Sequence, residues 1–263
     1  NMEPPRRVLY LEHDGKVLLV DSEGNGPKKP TMNNIGSTKF RFPTEAEVQG
    51  LGIEWQVKNT FDILGFEVIK AHPIIEWPKK WAWKDECISD DAVHPIARES
   101  IYRSIHRLVS KVMVLNREGE VLMGKIERGH FVGHWTLPGG YMDHDEHPAV
   151  GCVRETLEEM GIDIVLSDDA PVITQRIFTN EGISFVSFTY QANWDGNNSE
   201  IKLKENEIKE FTGKSISHFR KCSDPDDKDH NLHLADAIKL DMLSLKSQNG
   251  SPFLDNISLI VNN

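Results

Sequence analysis

Gly-Gly-Tyr-Met-Asp-His-Asp-Glu-His-Pro-Ala-Val-Gly-Cys-Val-Arg-Glu-Thr-Leu-Glu-Glu-Met-Gly-Ile, residues 139–162, is the stretch on which the reading of this chain turns. Its second half is written as a helix. Pro148 suits a first helical position, where a missing N–H leaves nothing unpaired. Asp143, Asp145 and Glu146 stand just upstream, on the side where the helix dipole favours negative charge. Gly161 suits the left-handed residue beyond a helix end. At about 100° per residue, Arg154, Glu155, Glu158 and Glu159 share one arc. Ala149, Val150, Val153, Thr156, Leu157 and Met160 share the opposite arc and form the expected packing face. Gly151 falls on the acidic side, where the missing side chain reads as room for metal or phosphate; against Ala it costs the helix about 1 kcal/mol.

Three carboxylates on adjacent turns repel and raise one another's pKa unless a cation intervenes. An all-oxygen donor set of this kind suits Mg²⁺ or Mn²⁺. Such an ion makes hydroxide from water near neutral pH and clamps phosphate oxygens. The plainer alternative is a solvated surface helix with a charged face.

The wider spacing weighs against that alternative. The fixed positions run Gly140, five residues, Glu146, seven residues, Arg154-Glu155, then Thr156, Leu157, Glu158-Glu159, Met160, Gly161 and Ile162. This run resembles the Nudix hydrolase signature at every charged and glycine position. Gly-His-Trp-Thr-Leu-Pro-Gly-Gly, residues 133–140, resembles the family's approach to that box. Thr156 departs from it, standing where the family prefers an aliphatic residue. The resemblance implies a Nudix-type α/β/α sandwich over residues 105–263, preceded by a smaller α/β domain over residues 1–104. It implies a Mg²⁺-dependent hydrolase (Mn²⁺ as substitute) that cleaves the diphosphate linkage of a nucleoside diphosphate attached to another group. Nucleotide sugars, dinucleotides and nucleoside triphosphates are the candidates.

In the family's pattern Glu155 acts as or assists the base and ligates metal, while Glu158 and Glu159 ligate metal. Arg154 orients the Glu155 carboxylate, Glu146 pairs with the box helix, and the Gly140 carbonyl completes the metal shell. A further acid is expected ahead of Phe211, with Glu207 before Glu205 and simple solvated acids as the alternative. The same fold also serves as a non-catalytic nucleotide-sensing module or a metal-dependent isomerase; the intact acidic set disfavours both. Substrate-binding residues are not legible. The Ser-Gln-Pro-Trp-Pro pattern of NADH-cleaving relatives has no convincing match, and Pro171 lies nearer the box than the proline of ADP-ribose hydrolases.

Composition bounds the function from outside. A net charge of −11 argues against a dominant nucleic-acid or anionic-membrane surface. It leaves polyphosphates open, because bound metal inverts the local field. Hydrophobic content of 38% and charged content of 27% fit a soluble globular protein. Cys87, Cys152 and Cys222 lie far apart without metal-type spacing, as expected of buried thiols in a reducing cytoplasm. No apolar run is long enough to span a membrane, and no apolar signal core opens the chain.

Taken in order, residues 8–11 and 16–20 read as a hairpin around Asp14-Gly15. Residues 21–38 read as a loop, 44–49 as a short helix, and 55–57 and 66–70 as strands. Trp77, Trp81 and Trp83 fill a small core or an interface, with base stacking as the alternative. Residues 96–108 read as a helix joining the halves. Residues 8–19 align without gaps onto 112–123, pairing Val8/Val112, Leu11/Leu115, Gly15/Gly119, Val17/Val121 and Leu18/Leu122. Arg41-Phe42-Pro43 echoes Thr136-Leu137-Pro138. A decayed Nudix-like repeat is one reading of the first half, two generic hairpins the other. Having no box, that half is expected to serve selectivity or homodimerisation.

In the second half, strands are expected at 110–116, 120–125, 172–179 and 183–192, and a closing helix at 234–245. His130, His134, His144 and His147 read as structural, with His147 capping the box helix and phosphate contact as the alternative for the others. Lys125 and Arg128 either balance substrate charge or lie on the surface.

Overall fold

The backbone of the first third is set by a tight turn. Asp14 and Gly15 both have positive φ, 49° and 78°, so the chain reverses within two residues. In this computed structural model the described residues are 5–31, 37–129, 131–222, 224, 226–245 and the backbone of 257–261. Strand β1 (Arg7–His13) returns through that turn into β2 (Lys16–Val17) and β3 (Val20–Asp21). Then follow β4 (Phe40–Arg41), α1 (Glu45–Gly50), β5 (Glu54–Ile63), β6 (Phe66–Ile74), β7 (Ala82–Trp83), α2 (Lys84–Ile88) and α3 (Pro95–Ser104). Thr44 starts α1 through a capping box with Glu47. The joining helix expected at 96–108 ends at Ser104, because Arg107 and Leu108 already belong to the next strand.

The second half runs β8 (Arg107–Leu115), β9 (Glu120–Ile126), β10 (Trp135–Thr136), β11 (Gly139–Tyr141) and α4 (Pro148–Met160). It continues with β12 (Val165–Leu166), β13 (Ile173–Thr179), β14 (Ser184–Asn193), β15 (Ile208–Ser215), α5 (Ile216–Lys221), α6 (Asp236–Ser244) and β16 (Ile257–Val261). The chain divides into two compact units, Asn1–Ile105 with Thr179–Ile183, and His106–Phe178 with Ser184–Asn263.

The two units repeat one topology. One sheet runs β5-β6-β1-β2-β7; the other contains β13-β14-β8-β9, with β10 and β15 both on β9. In each, the first strand is parallel to the second strand of a later hairpin, β1 to β6 and β8 to β14. Leu9 N–H donates to Pro43 O at 2.8 Å, and Val112 N–H donates to Pro138 O at 3.0 Å. Phe40 N–H bonds Ala92 O and receives His94 N–H; Trp135 does the same with His233 O and Ala235 N–H. A helix follows each of these crossings, α3 and α6. The aligned segments match in the second strand, but the first strand is shifted by one residue. Glu12 pairs Val17, whereas Leu115 pairs Val121, so the β8–β9 turn holds one extra residue. Leu9 therefore corresponds to Val112, and the gapless pairings Val8/Val112 and Leu11/Leu115 are corrected.

Burial faces enforce the shift, since a one-residue slip would send every side chain to the opposite face. Leu9 and Leu11 join the cluster under α1 with Leu18 and Val48. Val112 and Val114 join the cluster under α4 with Leu122 and Cys152. On the other face Tyr10 packs with Ala97 and Ile101 of α3, as Met113 packs with Ile238 and Met242 of α6. Each fully buried aliphatic side chain contributes roughly 1.5–3 kcal/mol. Of the tryptophans, Trp81 is core, while Trp77 and Trp83 stay about half exposed with Lys16 Nζ 4.8 and 4.6 Å from their ring centres.

Candidate active site

Helix α4 begins as its residues dictate. His147 Nδ1 accepts Ala149 N–H at 3.2 Å and Pro148 takes the first helical position; Gly161, φ 68°, ends it in the left-handed region. The packing face differs from the expected arc. Cys152, Thr156 and Met160 are buried and Ala149 and Val153 pack against their core, but Val150 and Leu157 are exposed. The Thr156 hydroxyl donates to Cys152 O at 2.7 Å, which satisfies it inside the core. Gly151 is also corrected. A Cβ there would lie 2.9 Å from both Glu146 Oε2 and Ser110 Oγ, so the space belongs to those side chains and not to metal or phosphate.

Arg154 is the hub of the acidic face. Its Nε and Nη2 donate to the two oxygens of Glu146 at 2.8 and 3.1 Å, and Nη2 also reaches Tyr141 O at 3.1 Å. Its Nη1 lies 2.8 Å from Glu155 Oε1 and 3.1 Å from Glu158 Oε1. The hydrogen bond to Glu146 does most to push the guanidinium upward, and the same bond holds the Glu146 carboxyl below its usual range. The Glu146 carboxylate ties down the loop as well, its Oε2 accepting Asp143 N–H at 3.0 Å.

Glu159 is not on the exposed face. It is 6% exposed, and its Oε2 accepts Gly139 N–H at 3.1 Å. Burial, seconded by the charges of Glu155 and Glu207, pushes its carboxyl up to about 8. Burial also raises Glu155, against the pull of Arg154. Gly140 lies against Glu155: a Cβ on it would meet that carboxylate at 3.0–3.1 Å.

Glu207 is brought to the site by the segment before β15. Lys202 N–H bonds Met160 O and Lys204 N–H bonds Glu159 O, at 2.8 and 2.9 Å, fastening residues 202–204 to the end of α4. Glu207 Oε2 then meets Lys204 Nζ at 2.8 Å and Arg128 Nη2 at 2.9 Å. Burial opposes the charged form, but those two cations outweigh it and lower the Glu207 carboxyl. Among the described residues no hydrogen bond or ion pair joins Glu205 to the box, and its side chain is exposed. Lys204 was missed at the sequence level; its position three residues before Glu207 in a turn was the available signal. Lys125 pairs with Glu210 at 2.9 Å. His134 stacks near His233, His144 is exposed, and His130 lies outside the described residues.

Among the described residues no three His, Cys, Asp or Glu side chains already converge as a metal cage. Glu155 and Glu158 are turned to Arg154 instead. The donor chemistry nevertheless fits a hard divalent cation: oxygen ligands only, and a buried carboxyl in Glu159 whose charge lacks a close counter-ion.

Residues 105–228 match the NUDIX domain family. The low-salt glycan biosynthesis protein Agl8 of Haloferax volcanii is 28% identical over 109 residues, 40% of this chain and 70% of that protein. A NUDIX hydrolase of Nitrosomonas europaea superposes with a TM-score of 0.44 at 20% identity, over 60% of this chain and 80% of that one. A MutT NUDIX hydrolase of Burkholderia pseudomallei gives 0.43 at 21%, over 54% and 99%.

Proposed function

For a chain that carries a NUDIX domain at residues 105–228, we propose Mg²⁺-dependent hydrolysis of the diphosphate linkage in a nucleoside diphosphate derivative. The observation that carries this reading is the pair Glu155 and Glu159, two carboxyls raised first by burial and then by neighbouring acids, Glu155 by Glu158 and Glu207, Glu159 by Glu155 and Glu207. Glu155, Glu158, Glu159 and the Gly140 carbonyl are the residues that would hold the ion, with Glu207 as the further acid. Mg²⁺ bound there supplies neutralisation of phosphate oxygens and acidification of a water.

The chain's own groups do the rest. Arg154 holds Glu155 Oε1, which leaves Oε2 to take the proton of the attacking water. Glu146 keeps Arg154 in place from the opposite side. The Gly139 N–H anchors Glu159 and fixes its orientation. Arg128 and Lys204 stand ready to offset substrate charge. The biosynthetic role in the name of the Haloferax relative keeps nucleoside diphosphate sugars first among substrates to assay. The cytoplasm is the compartment proposed, consistent with Cys87, Cys152 and Cys222 all being free thiols. Among the described residues no helix is long and apolar enough to cross a membrane.

The test is product release from nucleotide sugars, dinucleotides, NADH and nucleoside triphosphates, with and without Mg²⁺. Glu155→Gln is expected to lower kcat by at least ~10² while leaving the circular dichroism unchanged. Metal-independent turnover overturns the metal assignment, and no turnover on any of these compounds overturns the reading in favour of a binding module.

A further inference from the structure

The β9–β10 loop presents a feature that the hydrolytic reading does not use. Gly129 and Gly133, φ 90° and 83°, bend the chain, and Gly133 N–H to Ile126 O at 2.8 Å with Ile126 N–H to His134 O at 2.9 Å close it. The tip carries Phe131, a phenylalanine 41% exposed to solvent. Its ring meets the His134 ring edge-on at 6.2 Å, and His134 rests on His233 at 4.2 Å. His134 Nδ1 lies 3.1 Å from Phe131 O, so Nδ1 carries the proton and donates it, which fixes the ring's orientation. An exposed apolar ring, braced from behind by two further rings, is a surface for a flat partner.

The root of the same loop touches the candidate active site. Glu127 N–H donates to Glu207 O at 2.8 Å, and Arg128 reaches the Glu207 carboxylate. One Glu207 oxygen meets two cations, Arg128 and Lys204; Lys204 Nζ also lies 3.7 Å from Glu158 Oε2, while the Arg128 side chain is 62% exposed and has only Glu207 as an ion-pair partner among the described residues. Phe131 is three residues further on, at most about 10 Å of chain. Another aromatic pair of this unit, Tyr141 with Phe185, is bordered by Arg154, whose charge Asp143, Glu146, Glu155 and Glu158 already overmatch.

We infer that the loop is the nucleoside-recognition element: Phe131, braced by His134, stacks the base, while Arg128 and Lys204 receive the phosphates. The inference rests on the proposed reading of the site, since it supplies the nucleoside end of that substrate. Stacking on an aromatic ring tolerates any base, so this element sets affinity for nucleosides over base-free phosphates and not the choice among bases.

The test is equilibrium titration of the full chain with AMP, GMP, CMP, UMP and inorganic phosphate, none of which contains a diphosphate bond to cleave. Phe131→Ala is expected to weaken the tightest nucleotide roughly tenfold, with phosphate binding unchanged. Phe131→Trp is expected to restore nucleotide affinity, and Tyr141→Ala to leave it as it was. Equal nucleotide affinity in Phe131→Ala and the parent chain overturns the inference. So does loss in Tyr141→Ala alone, a parallel loss of phosphate and nucleotide, or no nucleotide binding at all. Turnover of a diphosphate substrate that survives such a result would leave the hydrolytic reading standing. Phe131-dependent binding without turnover would sink that reading and keep this one.

Discussion

Glu159 concentrates the chemistry of the site at one side chain. Its position in the box marks it as acidic, but only packing makes it a buried acid held by a single backbone N–H. A calorimetric titration with Mg²⁺ is expected to show clear binding by the parent chain and at least tenfold weaker binding by Glu159→Gln, about 1.4 kcal/mol. Equal affinities would remove Glu159 from the ligand set. A second residue answers to pH. Glu12 accepts Lys84 Nζ at 2.9 Å and also meets Lys70 Nζ. Burial works against its charge, yet the Lys70 and Lys84 cations hold its carboxyl at about 2 instead of 4.5. A folded-state value below the unfolded one means stability that is present above pH 4.5 and lost as pH falls toward 2. The stability margin of the parent over Glu12→Gln, read from urea midpoints between pH 6 and pH 2.5, is therefore expected to shrink as pH falls. A margin independent of pH would show that the pair contributes nothing to folding.

At the scale of elements, α4 and α6 are positioned by buried polar contacts that their hydropathy patterns do not announce. Gly151→Ala would improve α4 by about 1 kcal/mol on helix propensity alone. The Cβ would instead press on Glu146 and Ser110 at 2.9 Å, and Glu146 holds Arg154. The variant is expected to melt below the parent and to lose activity with it; a higher Tm with full activity would show that the pocket yields. Helix α6 is pinned to the sheet by Lys111 Nζ and Asp241 Oδ2, 2.7 Å apart, both buried, with Gln175 also bonded to Asp241. Breaking a buried pair from one side costs about 3–5 kcal/mol, whereas replacing both partners with apolar groups is close to neutral. Asp241→Leu is thus expected to destabilise strongly and Lys111→Met with Asp241→Leu to recover much of the loss, as read by denaturant midpoints.

Across the whole molecule the same topology occurs twice and only one copy carries a box. In the first unit α1 has six residues against thirteen in α4, and its Glu47 is held by both arms of Arg41 at 2.8 and 2.9 Å. That carboxylate is neutralised by its own chain and is not free for a metal. We propose that the first unit serves selectivity or homodimerisation. Thr179–Ile183 counts with this unit, and Arg103 Nη1 donates to Glu181 O at 2.7 Å. Deleting residues 1–104 is expected to change either the ranking of substrates by kcat/KM or the mass in solution. If ranking, kinetics and mass all persist, the unit is a passive appendage.

The linear order of residues was enough for the box and for the helix that carries it. Pro148, Gly161 and the charged spacing act within a few residues of one another, and short-range geometry needs no partner from elsewhere. The turn at Asp14-Gly15 and the cap at Thr44 are legible for the same reason. Tertiary structure decided what depends on distant chain. Which acids are buried, why Gly151 must be small, and how Glu207 reaches α4 through Lys202 and Lys204 all rest on contacts across tens of residues. The repeat shows the division plainly: the similarity of 8–19 to 112–123 is visible in the letters, but its true register is not. A single extra residue in the β8–β9 turn shifts the match, and only the sheet, by admitting alternate side chains to each core, settles which residues correspond.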